Sequence, residues 1–489
     1  VDFVMGTYEN ISGNASIVYS SNGTTWTSVS GTASKLADFY MNNIAYSANQ
    51  NMWFASLYPK NPSVTPAGEF NGYFIYATNP TLDSSSSPSG WSYVTMDPLS
   101  GSSMHNNVRY MDEVQLWVAC GFTYNARLTL GFSRNSVDWT SPLNQPFSSA
   151  STESTYQFGL GVNDIIYYSE ITTYVAVGTS PPLVNNKSAN GSVWCSVGYE
   201  PTNWSQVVGT EGVVGKPVCI KMSNETKVIV AGGYHSGVTG EANCLMWCLN
   251  PLVLGNQGGY NQGWQGLGSS LLYYCLGVDY NPEQDVWVAV GEPGTGSITL
   301  MYASDPTSVG GTDGWSAVSG FSALNVTKCT QVTYSSRRKQ WIVTCELSTT
   351  PSVLSYLTAT NPRVVDNGSN GGWRIVTDPS ISIPVGASVQ ATLDYKATAS
   401  IGAYPYNGIT SNSELVMRAD GGSTYFAEQL YVMSSTSDAD IYTFDTYGNI
   451  VIANNFYTSS DYRLKEDVHP VYQSVDQLRP VQYVNTITN

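Results

Sequence analysis

Charge is scarce in this chain, and positive charge is scarcer still. Of 489 residues only 11% are Asp, Glu, Lys or Arg, and 20 Lys and Arg stand against 36 Asp and Glu, a formal net charge of −16. Binding along a phosphate backbone draws on many cations to release counterions, so nucleic acid is not an expected partner. The same sign disfavours anionic membrane surfaces and points to neutral or cationic partners, or to plain solubility outside cells. No run of 18 or more apolar residues occurs, so no membrane insertion is expected. The three histidines are scattered, and the loose Cys244/Cys248 spacing has no second pair to complete a zinc site; no metal and no cofactor are expected. The chain opens at Val1 without a signal sequence, which reads as the mature or trimmed part of something longer.

What is present is a β-rich vocabulary. Hydrophobic residues at 42% are ample for a core and argue against disorder. Short runs rich in Val, Ile, Tyr and Trp alternate with Gly- and Asn-rich turns, the pattern of an all-β chain. Most of the eight cysteines lie inside such runs, as in "WVACG" and "YYCLGVDY", where Cys serves as a small hydrophobe; their disulfide state is left open.

A repeat organises these runs. A Trp follows a turn at Trp26, Trp91, Trp139, Trp204, Trp264, Trp315 and Trp373. Each follows a strand-like segment such as "FIYATNP" or "LMYASDP", and upstream recurs a second one ("MWFASLY", "TYVAVGT", "VWVAVGE", "QWIVTCE"). Before six of those lies a further strand with a hairpin, for example "VDYNPEQD". Four strands per unit, recurring seven times, predict a seven-bladed β-propeller over residues 1–384. The first unit lacks its first strand. Either residues around 376–396 supply it by strand exchange, or the chain begins mid-blade. The Trp side chains are expected between neighbouring blades.

"YSSNGTTW" resembles the Asp-box turn of sialidase-like and related propellers, with Asn22 at the usual Asp position. In those families the box is a folding element, so the resemblance implies fold and not chemistry. A glycosidase needs converging carboxylates, and Asp112, Glu113, Glu170 and Glu225 fall in inter-strand hairpins expected to face solvent. Arg is too scarce for a sialidase-type cluster, and Arg337 and Arg338 read as a solvated turn. Binding through the loops joining second and third strands is therefore favoured, with Tyr58, Phe70, Tyr124 and Tyr234 as candidates to stack on sugar rings.

After about residue 385 the repeat stops, and short alternating segments predict a trimeric β stalk over 385–458, since so small a piece needs copies of itself to bury its apolar side chains. The ending "TSSDYRLKEDVHPVYQSVDQLRPVQY" resembles the start of the endosialidase-type intramolecular chaperone family, through Ser460-Asp461, Arg463-Leu464-Lys465, Leu478-Arg479-Pro480-Val481 and Tyr483. The resemblance covers about 30 residues and implies a short α/β chaperone-start segment, 459–489, that trimerises. It further implies self-cleavage between Ser459 and Ser460, with Ser460 as nucleophile and Lys465 as its general base. Such chaperones usually continue well beyond this point, so the segment is expected as the start of one. The resulting expectation is a homotrimeric virion fibre or tail spike at the virion surface, attaching to a host-surface glycan or receptor and contacting other virion proteins. The alternatives are a polysaccharide depolymerase and a structural virion decoration.

Overall fold

The structure is a computed structural model. It describes residues 1–7, 16–59, 73–94, 103–123, 129–147, 161–179, 191–211, 213–234, 243–255, 262–267, 272–293, 298–347, 354–378, 386–391, 429–433, 441–445 and 450–453. The chain divides into two compact units, Val1–Asp394 and Tyr395–Asn489.

The first unit is all-β and propeller-like, built from antiparallel meanders of the predicted kind. In the second sheet Phe39–Ser47, Met52–Pro59, Tyr73–Ala77 and Ser92–Val94 pair in that order. The fourth sheet repeats this with Gly161–Tyr168, Thr173–Thr179, Gly191–Val197 and Ser205–Gln206. The seventh does so with Val326–Ser335, Gln340–Leu347, Leu354–Ala359 and Arg374–Asp378. The third pairs Ser103–Met111, Leu116–Thr123 and Leu130–Ser133, extended by a bridge from Phe132 to Thr140. The fifth begins with Lys216–Met222 and Ile229–Tyr234, the sixth with Leu272–Asn281 and Val286–Pro293; one bridge, Tyr234 to Tyr274, joins these two sheets.

Local chemistry repeats with the sheets. In six of them the hairpin after the first strand ends on a left-handed residue: Asn51, Gln115, Thr172, Lys227, Asp285 and Lys339. One such residue lets a short hairpin keep the right-handed twist of its strands. Each first strand also carries a bulge at a matching place, between Met41 and Asn43, His105 and Asn107, Val162 and Asp164, Pro217 and Cys219, Cys275 and Gly277, and Cys329 and Gln331. The recurring glycine of "AVGT", "AGGY" and "AVGE" sits opposite this bulge. A Cβ on Gly178, Gly233 or Gly291 would stand 2.0, 2.0 or 1.7 Å from a carbonyl oxygen of the facing strand.

The hydrophobic core lies between consecutive sheets. Trp91 packs with the first and second sheets, Trp139 with the second and third, Trp204 with the third and fourth, and Trp264, Trp315 and Trp373 continue the series. The inter-sheet placement expected for the Trp series is what the packing gives. The indole N–H groups of Trp91, Trp204, Trp264, Trp315 and Trp373 donate to the carbonyls of Pro80, Pro201, Pro251, Pro306 and Pro362 at 2.8–3.0 Å. Each buried ring thus keeps its polar edge satisfied. Asn22 and Asn135 share the box-like turn, their Oδ1 atoms accepting from Thr24 and Thr25 and from Val137 and Asp138.

The first sheet takes its missing strand from far down the chain: Gly386–Ala391 pairs antiparallel with Phe3–Thr7. The strand comes from within the 376–396 stretch that strand exchange would use, and the compact unit runs to Asp394. Phe3, Met5 and Trp26 of the first sheet pack on Ile342 and Tyr356 of the seventh. Arg337 and Arg338, expected as a solvated turn, both grip Asp2, which is 2% exposed; Arg337 Nη1 lies 2.8 Å from its carboxylate. Arg338 also donates to the Ser21 carbonyl, and the Tyr356 hydroxyl to that of Gly23 at 2.7 Å.

Within the second unit the described strands, Gln429–Met433, Ile441–Asp445 and Ile450–Ala453, form one antiparallel meander. No helix among the described residues is long and apolar enough to cross a membrane.

Candidate functional site

The first strands of successive sheets lie side by side: 39–47 against 103–111, then 161–168, 216–222, 272–281, 326–335, 386–391 and back to 39–47. Polar side chains from neighbouring first strands therefore meet. Arg109 holds Asp164 through two hydrogen bonds of 2.8 Å, from Nε and Nη2, and Asn107 Nδ2 donates to the same carboxylate. Asp164 Oδ2 accepts the Ile220 N–H at 3.0 Å. Next in line, Lys221 pairs with Asp279 at 2.6 Å, and Asp279 accepts the Tyr334 N–H at 2.8 Å. Burial works against the Arg109 charge, and the Asp164 carboxylate more than offsets it, so the guanidinium is held firmly protonated. Charges alternating in sign along four consecutive strands stitch the sheets together.

Two rims remain. At the hairpin rim Asp112 and Glu113 follow Met111. Asp112 is half-buried, not turned to solvent as the hairpin position implied, and burial, aided by the Glu113 charge, pushes its carboxyl up to about 7. Burial raises Glu113 as well, with its own backbone N–H and Lys221 pulling the other way. Its side chain is nonetheless open to water, which screens that effect. Glu170 and Glu225 are exposed as expected, and Glu170 pairs with Lys227 at 2.9 Å.

At the loop rim, where first strands begin and second strands end, three sheets converge. Tyr234 ends Ile229–Tyr234, and its ring lies 4.1 Å from that of Tyr274, which in turn lies 4.3 Å from Tyr273. Tyr274 faces Glu292 across the sixth sheet, and Glu292 Oε1 reaches Lys328 Nζ of the seventh at 2.7 Å. Lys328 faces Glu346 across its own sheet. Burial tends to lower Lys328, but the hydrogen bond and charge of Glu292, with Glu346, raise it on balance. Burial and the Glu292 charge raise the Tyr234 hydroxyl, and burial with the Tyr273 hydrogen bond pushes Tyr274 up to about 12. The cluster brings together three tyrosine side chains, one lysine and two glutamates. Tyr273 is 42% exposed, and Glu292 and Lys328 keep 31% of their side-chain surface open.

Of the residues singled out in the sequence, Tyr234 joins this cluster, and Tyr58 lies at the matching end of Met52–Pro59, opposite Tyr40. Phe70, Tyr124, Ser459, Ser460 and Lys465 lie outside the described residues. Tyr273, Tyr274, Glu292 and Lys328 were not foreseen; the signal was their place at the loop-side ends of the first and second strands, with Glu292 closing "VWVAVGE". Among the described residues no three His, Cys, Asp or Glu side chains come together to hold a metal. A groove of about 580 Å³ opens on the outer strands, lined by Val197, Val207, Val208, Leu252 and Leu254. Its lining has no carboxylate, ammonium or imidazole, so it brings no acid–base pair together.

No protein-family profile matches the chain, and no curated protein matches it. Solved propellers do resemble it. The periplasmic gluconolactonase PpgL of Pseudomonas aeruginosa is 8% identical, with a TM-score of 0.47, covering 80% of this chain and 98% of its own. A Bacteroides uniformis protein proposed to be a 6-phosphogluconolactonase is 10% identical at 0.47, with the same coverage. The β-propeller domain of the Trilobed protease from Pyrococcus furiosus, described as having an open velcro topology, is 7% identical at 0.36, covering 73% and 99%. These likenesses speak for the fold alone. The expectation of a virion attachment fibre is corrected here: several of the structures this chain resembles carry gluconolactonase-type names, one of them periplasmic, and those named above are neither fibre nor spike.

Proposed function

We propose that this chain is a closed seven-bladed β-propeller that binds a small polyhydroxylated ligand at the loop rim of its fifth, sixth and seventh blades. The return of the first-strand circuit to its origin supports the closed ring, as does the exchange strand 386–391. The observation that carries the binding reading is the exposed Tyr273 ring beside Tyr274, next to the Glu292–Lys328 pair. A sugar-like molecule presents apolar C–H faces and a fringe of hydroxyls. The tyrosine face takes the first, and the carboxylates and ammonium bond the second.

The test is calorimetric titration with a panel of neutral mono- and oligosaccharides. At least one binds, and Tyr273→Ala weakens it by about tenfold or more while the far-UV spectrum and unfolding midpoint stay put. Absence of binding across the panel, or equal binding by the variant, overturns the reading.

The motif at residues 459–483 favours a second reading for the C-terminal segment alone, as a trimerising, self-cleaving junction of the intramolecular chaperone type. Lys465 takes the Ser460 hydroxyl proton as Oγ attacks the Ser459 carbonyl. The Ser459–Ser460 amide breaks, its nitrogen leaves protonated, and water then hydrolyses the ester. Mass measurement under native and denaturing conditions checks it: a trimer that loses the fragment in wild type but not in Ser460→Ala supports it, and an uncut monomer sinks it.

A further inference from the structure

Two thiols meet in the core between the fifth and sixth sheets. Cys219, on Lys216–Met222, and Cys275, on Leu272–Asn281, lie 56 positions apart in sequence, and their Sγ atoms are 3.9 Å apart. They are 6% and 0% exposed. Gly232, opposite Cys219 in the adjoining strand, leaves the room for this meeting: a Cβ there would stand 2.4 Å from Cys275 Sγ and 3.1 Å from Cys219 Sγ. Other cysteines are turned elsewhere. Cys195 donates to the Pro251 carbonyl at 3.5 Å, and Cys345, although opposite Cys329, donates to that of Ser355 at 3.9 Å. Cys244 shares the cluster and is the natural competitor.

We infer that Cys219 and Cys275 form a disulfide that staples the first strands of adjacent sheets when the chain folds in the presence of a small-molecule disulfide oxidant. A bond at about 2.05 Å asks the two sulfurs to close by roughly 2 Å. The Cys219 thiolate attacks the oxidant's S–S bond, giving a mixed disulfide and releasing one small thiolate. The Cys275 thiolate then attacks the Cys219 sulfur and releases the second. Two electrons pass to the oxidant, and the protons lost by the two cysteines end on the two small thiols. The exchange belongs to folding. Once the sheets have closed, the hydrogen bond with Cys219, together with burial, holds the Cys275 thiol protonated and out of reach of any oxidant.

The test refolds the full chain in a glutathione redox buffer and, separately, in excess reductant, then alkylates in denaturant and weighs the product. Oxidative folding leaves two fewer modifiable thiols than the eight in the sequence, a peptide linking Cys219 to Cys275, and an unfolding midpoint about 5 °C above that of the reduced form. In Cys219→Ser all remaining thiols are modified under both conditions, and the midpoints coincide. Eight modifiable thiols after oxidative folding to the native spectrum, or a link through Cys244 or between Cys329 and Cys345, overturns the inference. Should refolding fail, the same count on protein secreted through an oxidising compartment decides it.

Discussion

Asp164 is 1% exposed and serves four groups at once: Arg109, Asn107 and the Ile165 and Ile220 N–H groups. Replacing it with Ala leaves a guanidinium and backbone donors in the core without their acceptor. Breaking a buried pair from one side costs about 3–5 kcal/mol, and the low end applies because Arg109 keeps 30% of its surface in water. Urea unfolding of Asp164→Ala checks this, with a loss of about 3 kcal/mol expected. Asp112 makes a pH prediction. Its carboxyl titrates near 3.8 when unfolded and about 7 when folded, so the folded state holds its proton more tightly. Stability from this group is complete below pH 4, falls as pH rises toward 7, and is flat above that. Asp112→Asn removes that slope and leaves the variant the more stable protein at pH 8. Unfolding midpoints at pH 5 and pH 8 decide it; a slope that survives the substitution means other groups carry it.

At the scale of the element, the sheets were legible because each strand reads its own local signal. The hairpin and the turn before Trp both lie within one repeat, so they showed in the sequence. The Asp2 latch did not. Its partners, Arg337 and Arg338, come more than 300 positions later, and nothing local to "SSRRKQ" distinguishes a latch from a solvated turn. The charge series Arg109, Asp164, Lys221, Asp279 lay in between: each step is about one repeat long, so aligning the repeats would have shown it. Repetition also sets the expected cost of damage. Trp315 is fully buried between the fifth and sixth sheets, with its indole N–H bonded to the Pro306 carbonyl. Trp315→Ala empties that seam and should cost about 3–5 kcal/mol, read as a lower urea midpoint with an unchanged native far-UV spectrum. A loss under 1 kcal/mol would mean that the seam collapses onto the gap.

For the first unit as a whole, the decisive element is its last described strand. Gly386–Ala391 is the first strand of the first sheet, pairing Phe3–Thr7 on one side and lying beside 326–335 and 39–47 on the others. Remove it and Phe3–Thr7 becomes an open edge over a core of Phe3, Met5 and Val18 that is now without cover. A chain ending after Asp394 keeps the strand and needs nothing from the second unit to complete the sheet, so it should unfold cooperatively at a midpoint close to that of the full chain. A chain ending after Pro384 keeps every Trp of the repeat and every ion pair described above, yet loses the strand that joins the last sheet to the first. It should aggregate, or unfold at least about 10 °C lower, a loss on the order of several kcal/mol for a unit of this size. The comparison is internal, because the two chains differ by ten residues outside every loop and site. Equal midpoints would mean that the first and seventh sheets hold together through Asp2 and the aromatic seam alone, and that the exchanged strand follows the closure of the ring without causing it.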